Sequence, residues 1–314
     1  MTICVAAMCN GGSTLFGASD RMLSGRDVEF EPPQTKVFSL TTSISVLTAG
    51  DTALQVEILN RVRIDVETRV KAEPDNWWLV EDVAALYSRY YSEARLKSTE
   101  RAILAPLGLT STSFLQMQQQ LSPQLVTQLA TELINYDAPF VQAIVLGIDH
   151  TGGHIYVCNG ADVTCQDGIG FAAIGSGAAH ANSVFMFGGH TKWKPIPETF
   201  LMTYFAKKRA EVAPGVGTAT DMLTIGPELG SYTAIGPEPM AKCLEIWNRA
   251  QTKRLELERE AEEEINHYVQ GIIDAATAKE QAALPQDSGG TKAPDEENVT
   301  LSGRNENISP KEIP

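Results

Sequence analysis

The chain lacks most of the features that assign a protein quickly to a special class. No apolar run approaches the roughly 18 residues that a membrane-spanning helix requires. The opening Met1-Thr2-Ile3-Cys4 has neither the basic start nor the long apolar stretch of a secretory signal, so a cytoplasmic protein with no membrane partner is expected. Cysteines are few. Cys4, Cys9, Cys158, Cys165 and Cys243 make an odd number without a CxxC pair, which argues against a disulfide framework or a structural zinc and suits a reducing compartment. The five histidines, His150, His154, His180, His190 and His267, show no HExxH or paired metal spacing, and Pro214-Gly215-Val216-Gly217-Thr218 lacks the lysine of a phosphate-binding loop. No metal or other cofactor is therefore expected. Basic residues are outnumbered 25 to 39, and a net charge of −14 would repel phosphate backbones and anionic lipid, so neither nucleic acid nor a membrane surface is expected as a partner. What remains is a chain of 314 residues, 43% hydrophobic and 20% charged, which can build a globular core.

The first 50 residues read as β-structure. Thr2–Cys9 and Leu15–Ser19 flank the turn Asn10-Gly11-Gly12-Ser13, and Val37–Leu40 and Ile44–Ala49 flank Thr41-Thr42-Ser43, which describes two hairpins. After Gly50, the pair Asp51-Thr52 caps a helix with Leu54, Ile58 and Val62 on one stripe, ending before Pro74. A second helix starts near Asp75 or Glu81 and runs to about Ile103, and residues 104–139 read as a helical insertion broken by Pro106, Gly108 and Pro123. Strands return at Val141–Ile148, His154–Cys158 and Phe171–Ile174; two helices follow, one after Gly177 and one near Pro197; Asp221–Ile225 and Tyr232–Ile235 pair last. Strands, two helices, strands, two helices, strands imply an α+β fold with two sheets face to face between helical layers. Residues 1–236 would form this domain. Residues 237–284 read as a long charged helix with Ala261, Ile265, Tyr268 and Ile272 on one stripe. Residues 285–314 are polar and nearly free of aromatics, too poor in apolar surface to offset their ordering entropy, and a disordered tail is expected. Residues 251–314 carry 14 acidic and 7 basic residues, a net −7.

Thr2 carries the first chemical signal. Removal of Met1 would leave a threonine with both a hydroxyl nucleophile and a free α-amine, and that amine can act as the hydroxyl's own general base. A terminal amine has a reference pKa of about 7.7–8.0, so a useful fraction is unprotonated near neutrality. Alone, a Met-Thr start is common and an ordinary strand explains it.

Four further segments make a pattern with it: Gly17-Ala18-Ser19-Asp20-Arg21, Lys36-Val37-Phe38, Leu47-Thr48-Ala49-Gly50-Asp51 and Ala172-Ala173-Ile174-Gly175-Ser176-Gly177-Ala178. Taken singly, Asp20 and Arg21 could be a polar strand end, Lys36 a surface lysine, Gly50 a turn and Ser176 a helix N-cap. In order and in spacing, with sixteen residues from Asp20 to Lys36 and fourteen from Lys36 to Gly50, they resemble the proteasome β-subunit and HslV-like family of N-terminal-nucleophile hydrolases. The resemblance covers roughly residues 2–236 without the 104–139 insertion, and the two extra residues between Thr2 and Asp20 fit in the Asn10–Thr14 turn.

It implies a four-layer αββα sandwich and a threonine-type peptidase that hydrolyses peptide bonds through Thr2. Lys36 would match the lysine whose charge lowers the pKa of the threonine hydroxyl and amine. Asp20 would match its carboxylate partner. Gly50 would match the glycine whose N–H meets the developing oxyanion, a donor typically worth about 3–4 kcal/mol. Ser176 would match the serine beside the terminal amine. The family also implies a peptide or unfolded-protein substrate, a homo-oligomeric ring with inward-facing sites and, in some members, an ATP-dependent unfoldase partner. It contains inactive structural ring subunits, and the same fold serves small-molecule amidases and acylases; both remain alternatives. One departure stands out: the stretch Glu211–Thr218 lacks the family's aspartate and serine in register, and Glu211 or Thr218 would substitute only with the loop rearranged.

Overall fold

A computed structural model describes residues 2–25 and 28–283. The expected tail, 285–314, lies outside these residues. In chain order the first half holds β1 (Cys4–Cys9), β2 (Thr14–Ser19), β3 (Leu23–Ser24), β4 (Glu29–Phe30), β5 (Val37–Ser39), β6 (Ile44–Gly50), α1 (Thr52–Ala72), α2 (Val80–Thr99), α3 (Ser111–Met117) and α4 (Pro123–Ile134). The second half holds β7 (Val141–Asp149), β8 (Gly152–Asn159), β9 (Asp162–Cys165), β10 (Phe171–Ile174), α5 (Ala178–Phe187), α6 (Ile196–Ala210), β11 (Asp221–Ile225), β12 (Tyr232–Ala234) and α7 (Pro237–Ala283). The fold is mixed α/β with antiparallel sheets. One five-stranded sheet has the order β10-β1-β2-β11-β12, another the order β5-β6-β7-β8-β9, and β3 pairs with β4 alone.

The period-2 alternation of the strands explains how two faces are buried at once. On β1, Cys4, Ala6 and Met8 join Leu47, Ala49, Ile144, Leu146 and Ile155 of the other sheet in one apolar cluster. The intervening Val5 and Ala7, with Ile3, meet Ala181, Phe185, Ala206 and Ala210 of α5 and α6. Strands β6 and β7 do the same in mirror image, turning Ile44, Val46, Ala143 and Val145 toward Ile58, Val62, Val83, Ala84 and Tyr87 of α1 and α2. Strands buried on both sides read as continuous apolar runs, as Cys4–Cys9 and Ala143–Ile148 do.

Local signals begin the helices. The Asp51 carboxylate accepts the Leu54 N–H at 2.8 Å and caps α1. Pro197 lies in the first turn of α6, where its missing N–H costs nothing. Residues 104–139 contain α3 and α4 around a small apolar cluster of their own, Leu104, Phe114 and Leu129. The chain divides into two compact units between Ala250 and Gln251. The division falls inside α7, because Met240, Cys243 and Trp247 of its first turns pack with Tyr204, Phe205 and Met222. Among the described residues no helix is long and apolar enough to cross a membrane.

Candidate active site

Strand register brings the sequence-identified residues together. Cys4 stands opposite Ser19 on β2 and opposite Ile174 on β10. Two residues beyond, Thr2 therefore leaves the sheet between Asp20 on one side and the Gly175-Ser176 turn on the other. Lys36 arrives from the second sheet, where it immediately precedes β5 and its carbonyl accepts the Thr48 N–H at 3.2 Å.

Thr2, Asp20 and Lys36 are all buried. The Thr2 hydroxyl donates to Asp20 Oδ1 and accepts from Lys36 Nζ. Lys36 Nζ also donates to Asp20 Oδ1 at 2.8 Å and to the Met22 carbonyl. The carboxylate is held from behind by three backbone donors: Ile3 N–H on Oδ1 at 3.0 Å, and Met22 and Gly217 N–H on Oδ2 at 3.1 and 2.9 Å. A buried carboxylate with an ammonium partner and this many donors meets the condition under which burying charge is tolerable.

Ser176 stands at the backbone nitrogen of Thr2. That N–H donates to Ser176 Oγ at 3.3 Å, and Ser176 Oγ lies 3.2 Å from the Pro214 carbonyl, which accepts from it. The Gly175 backbone allows the approach. With φ of +93°, and with an added Cβ colliding with the Thr2 carbonyl oxygen, only glycine fits there. The turn is pinned by Gly175 N–H donating to Gln142 Oε1 of β7 at 3.1 Å.

Gly50 ends β6 with φ of +105°, and a Cβ there would strike the Phe140 carbonyl and come within 2.9 Å of Val141 Cα. It lines, with Thr2 and Lys36, a cavity of about 740 Å³. Its apolar wall comes from Met22, Pro32, Val37, Phe38, Ala49 and Val56. Two polar side chains that line it, Gln55 and Arg21, are engaged within the protein. Gln55 donates to the Ala49 and Gln142 carbonyls, both at 2.9 Å, and accepts from Tyr87 at 2.8 Å. Arg21 at the rim is engaged by both oxygens of Asp221, at 2.9 and 2.6 Å. Cys4, just inside the site, donates to the Thr48 carbonyl at 3.2 Å, and burial pushes its thiol pKa up against the opposing influence of Lys36, which leaves it a packed, unreactive side chain.

Neither residue weighed as a substitute in the 211–218 stretch is turned to Thr2. Glu211 accepts from Lys207 at 2.6 Å and pairs with Lys208 at 2.6 Å, while Thr218 donates to Glu31 at 3.3 Å. The loop's contribution comes from its backbone instead, through the Gly217 N–H and the Pro214 carbonyl. Sequence reasoning missed these two groups and the buried Lys207; an i, i+4 Lys-Glu spacing was the one visible trace of the latter. Among the described residues no group of three or more His, Cys, Asp or Glu side chains is placed to hold a metal ion. Compared with protein-family models and with curated proteins, the chain finds no match.

Proposed function

We propose that the chain is a threonine-type peptidase of the N-terminal-nucleophile class, acting on peptide bonds through Thr2. The observation that carries this reading is the Thr2 hydroxyl bonded at once to Lys36 and Asp20, with Ser176 Oγ at the Thr2 nitrogen. The order of the packed elements, α1 and α2 on one sheet and α5 and α6 on the other with an apolar cluster between the sheets, supports a four-layer αββα sandwich.

Removal of Met1 converts the Thr2 nitrogen from an amide into an amine that can accept a proton. The Lys36 charge favours the ionised hydroxyl and disfavours the protonated amine. In the reaction, the Thr2 oxygen bonds to the substrate carbonyl carbon as its proton passes to the α-amine. The oxyanion that forms is met by the Gly50 N–H, the amine returns the proton to the leaving nitrogen as the C–N bond breaks, and an ester on Thr2 remains for water to hydrolyse. The cavity beside Thr2, walled by Met22, Pro32, Val37, Phe38, Ala49 and Val56, suits a large apolar side chain next to the cleaved bond. Assembly into a homo-oligomeric ring that encloses the sites belongs to the same reading.

Intact mass and hydrolysis test it together. The expected result is loss of one methionine, hydrolysis of a peptide with an apolar residue at the cleaved bond, and abolition of hydrolysis in Thr2→Ala. Lys36→Ala should fold and turn over at least about a hundredfold more slowly. Full activity in Thr2→Ala would exclude Thr2 as the nucleophile.

A further inference from the structure

We infer that Lys207 of α6 is a positioning residue for this site: its buried ammonium group fixes the Gly217–Thr218 backbone, which in turn holds Asp20 and, through it, Thr2 and Lys36. The inference rests on the reading of Thr2 as nucleophile.

The side chain of Lys207 is fully buried. Its three N–H donors are matched by three acceptors: Glu211 Oε1 at 2.6 Å, the Gly217 carbonyl at 2.9 Å and the Thr218 carbonyl at 3.0 Å. Burial pushes its pKa down, and the Glu211 carboxylate opposes that shift. A methionine at this helix position would fill similar space without desolvating a charge, and the other buried residues of α6, Thr199, Thr203, Tyr204, Ala206 and Ala210, are uncharged. The charge has a definite target. Gly217 is gripped at both ends, its carbonyl by Lys207 and its N–H by Asp20 Oδ2.

The same segment is tied again by Glu31, which accepts the Ala219 N–H at 3.0 Å and occupies the space a Cβ on Gly217 would need. Upstream, its Pro214 carbonyl takes the Ser176 hydroxyl. One loop thus orients both flanks of Thr2, Asp20 by an N–H and Ser176 by a carbonyl, and does so without a carboxylate or hydroxyl of its own. Releasing the Gly217 N–H leaves Oδ2 with one backbone donor and frees the carboxylate to swing Oδ1 away from the hydroxyl.

The full-length Lys207→Met variant tests this by two readouts: amide hydrogen exchange over residues 215–219, and steady-state hydrolysis of an apolar peptide, with a melting curve to show that the variant is folded. Exchange in the segment should accelerate about tenfold or more, and kcat should fall about tenfold or more with KM changed less than about twofold, because misplacement of reacting groups acts on the transition state. If Lys207→Met does not fold, Lys207→Gln, which keeps two N–H donors but cannot reach all three acceptors, decides on the same readouts. Unchanged exchange would overturn the hold on the loop, and faster exchange with unchanged kcat would overturn the positioning role. Exchange is read without turnover, so a failure of Thr2 as nucleophile is recognised separately, by an inactive wild-type protein whose segment still loosens in the variant.

Discussion

Asp20 has its acceptor capacity filled, with Thr2, Lys36 and Ile3 on one oxygen and Met22 and Gly217 on the other. Its removal strands a buried ammonium and three backbone donors. Asp20→Ala is expected to lose about 3–5 kcal/mol of stability, measurable as a shifted urea midpoint, in addition to its activity. Val56 is a milder probe, because it lines the cavity yet is 45% exposed and can accept a charge. Val56→Glu should leave stability within about 0.5 kcal/mol and shift hydrolysis from apolar toward basic side chains at the cleaved bond. Unchanged preference across a set of fluorogenic peptides would remove this cavity from the specificity argument. At this scale Thr2, Asp20, Lys36, Gly50 and Ser176 were singled out through the resemblance that their order and spacing carry, and the structure puts Thr2, Asp20 and Lys36 in mutual contact, Ser176 at the Thr2 nitrogen and Gly50 on the same cavity. Gly217 was not legible, since a backbone N–H leaves no mark on residue identity, and Lys207 was not, since whether a lysine is buried is decided by its neighbours.

At the scale of elements, the long strands and the capped helices were readable from periodicity, turn residues and the Asp51 cap. Strands β3, β4 and β9 were not. Two residues carry no usable period, and Leu23–Ser24 and Glu29–Phe30 become strands by pairing with each other in the stretch that leads from Asp20 toward Lys36, while Asp162–Cys165, exposed at every residue, becomes one by pairing with β8. The segment after α5 is tied to β1 by His190, whose Nε2 donates to the Met8 carbonyl at 3.0 Å. Burial holds its imidazole below the ordinary value of 6.5, with the bond to Met8 opposing. As pH falls below about 6.5 the unfolded chain takes up a proton that the folded one refuses, so this stability is present above that pH and lost below it until the folded imidazole also titrates. The urea midpoint should therefore decline between pH 7.5 and pH 5.5, and His190→Gln should make the decline shallower. An identical slope in the variant would assign the acid sensitivity to other groups.

For the molecule as a whole, the succession of helix pairs and strand pairs made a mixed α/β fold legible, because a run that is apolar on both faces needs cover on both. The point where the unit boundary falls was less legible: α7 has the same helical pattern before and after residue 250, and only the packing of Met240, Cys243 and Trp247 separates its two parts. Residues 252–279 are exposed throughout. A chain ended after Ala250 should keep the unfolding free energy of the first unit within about 0.5 kcal/mol, which a denaturant titration of both chains would show. All the chemistry depends on residue 2 being the chain's own amino terminus and the atom that is acylated. Peptide mapping by mass spectrometry, after incubation with an activated ester of an apolar peptide, reads both properties at once. An acyl group on a peptide that begins with Thr2, missing when Lys36 is replaced by alanine, is the expected result; Met1 still in place, or the acyl group on another residue, would contradict it.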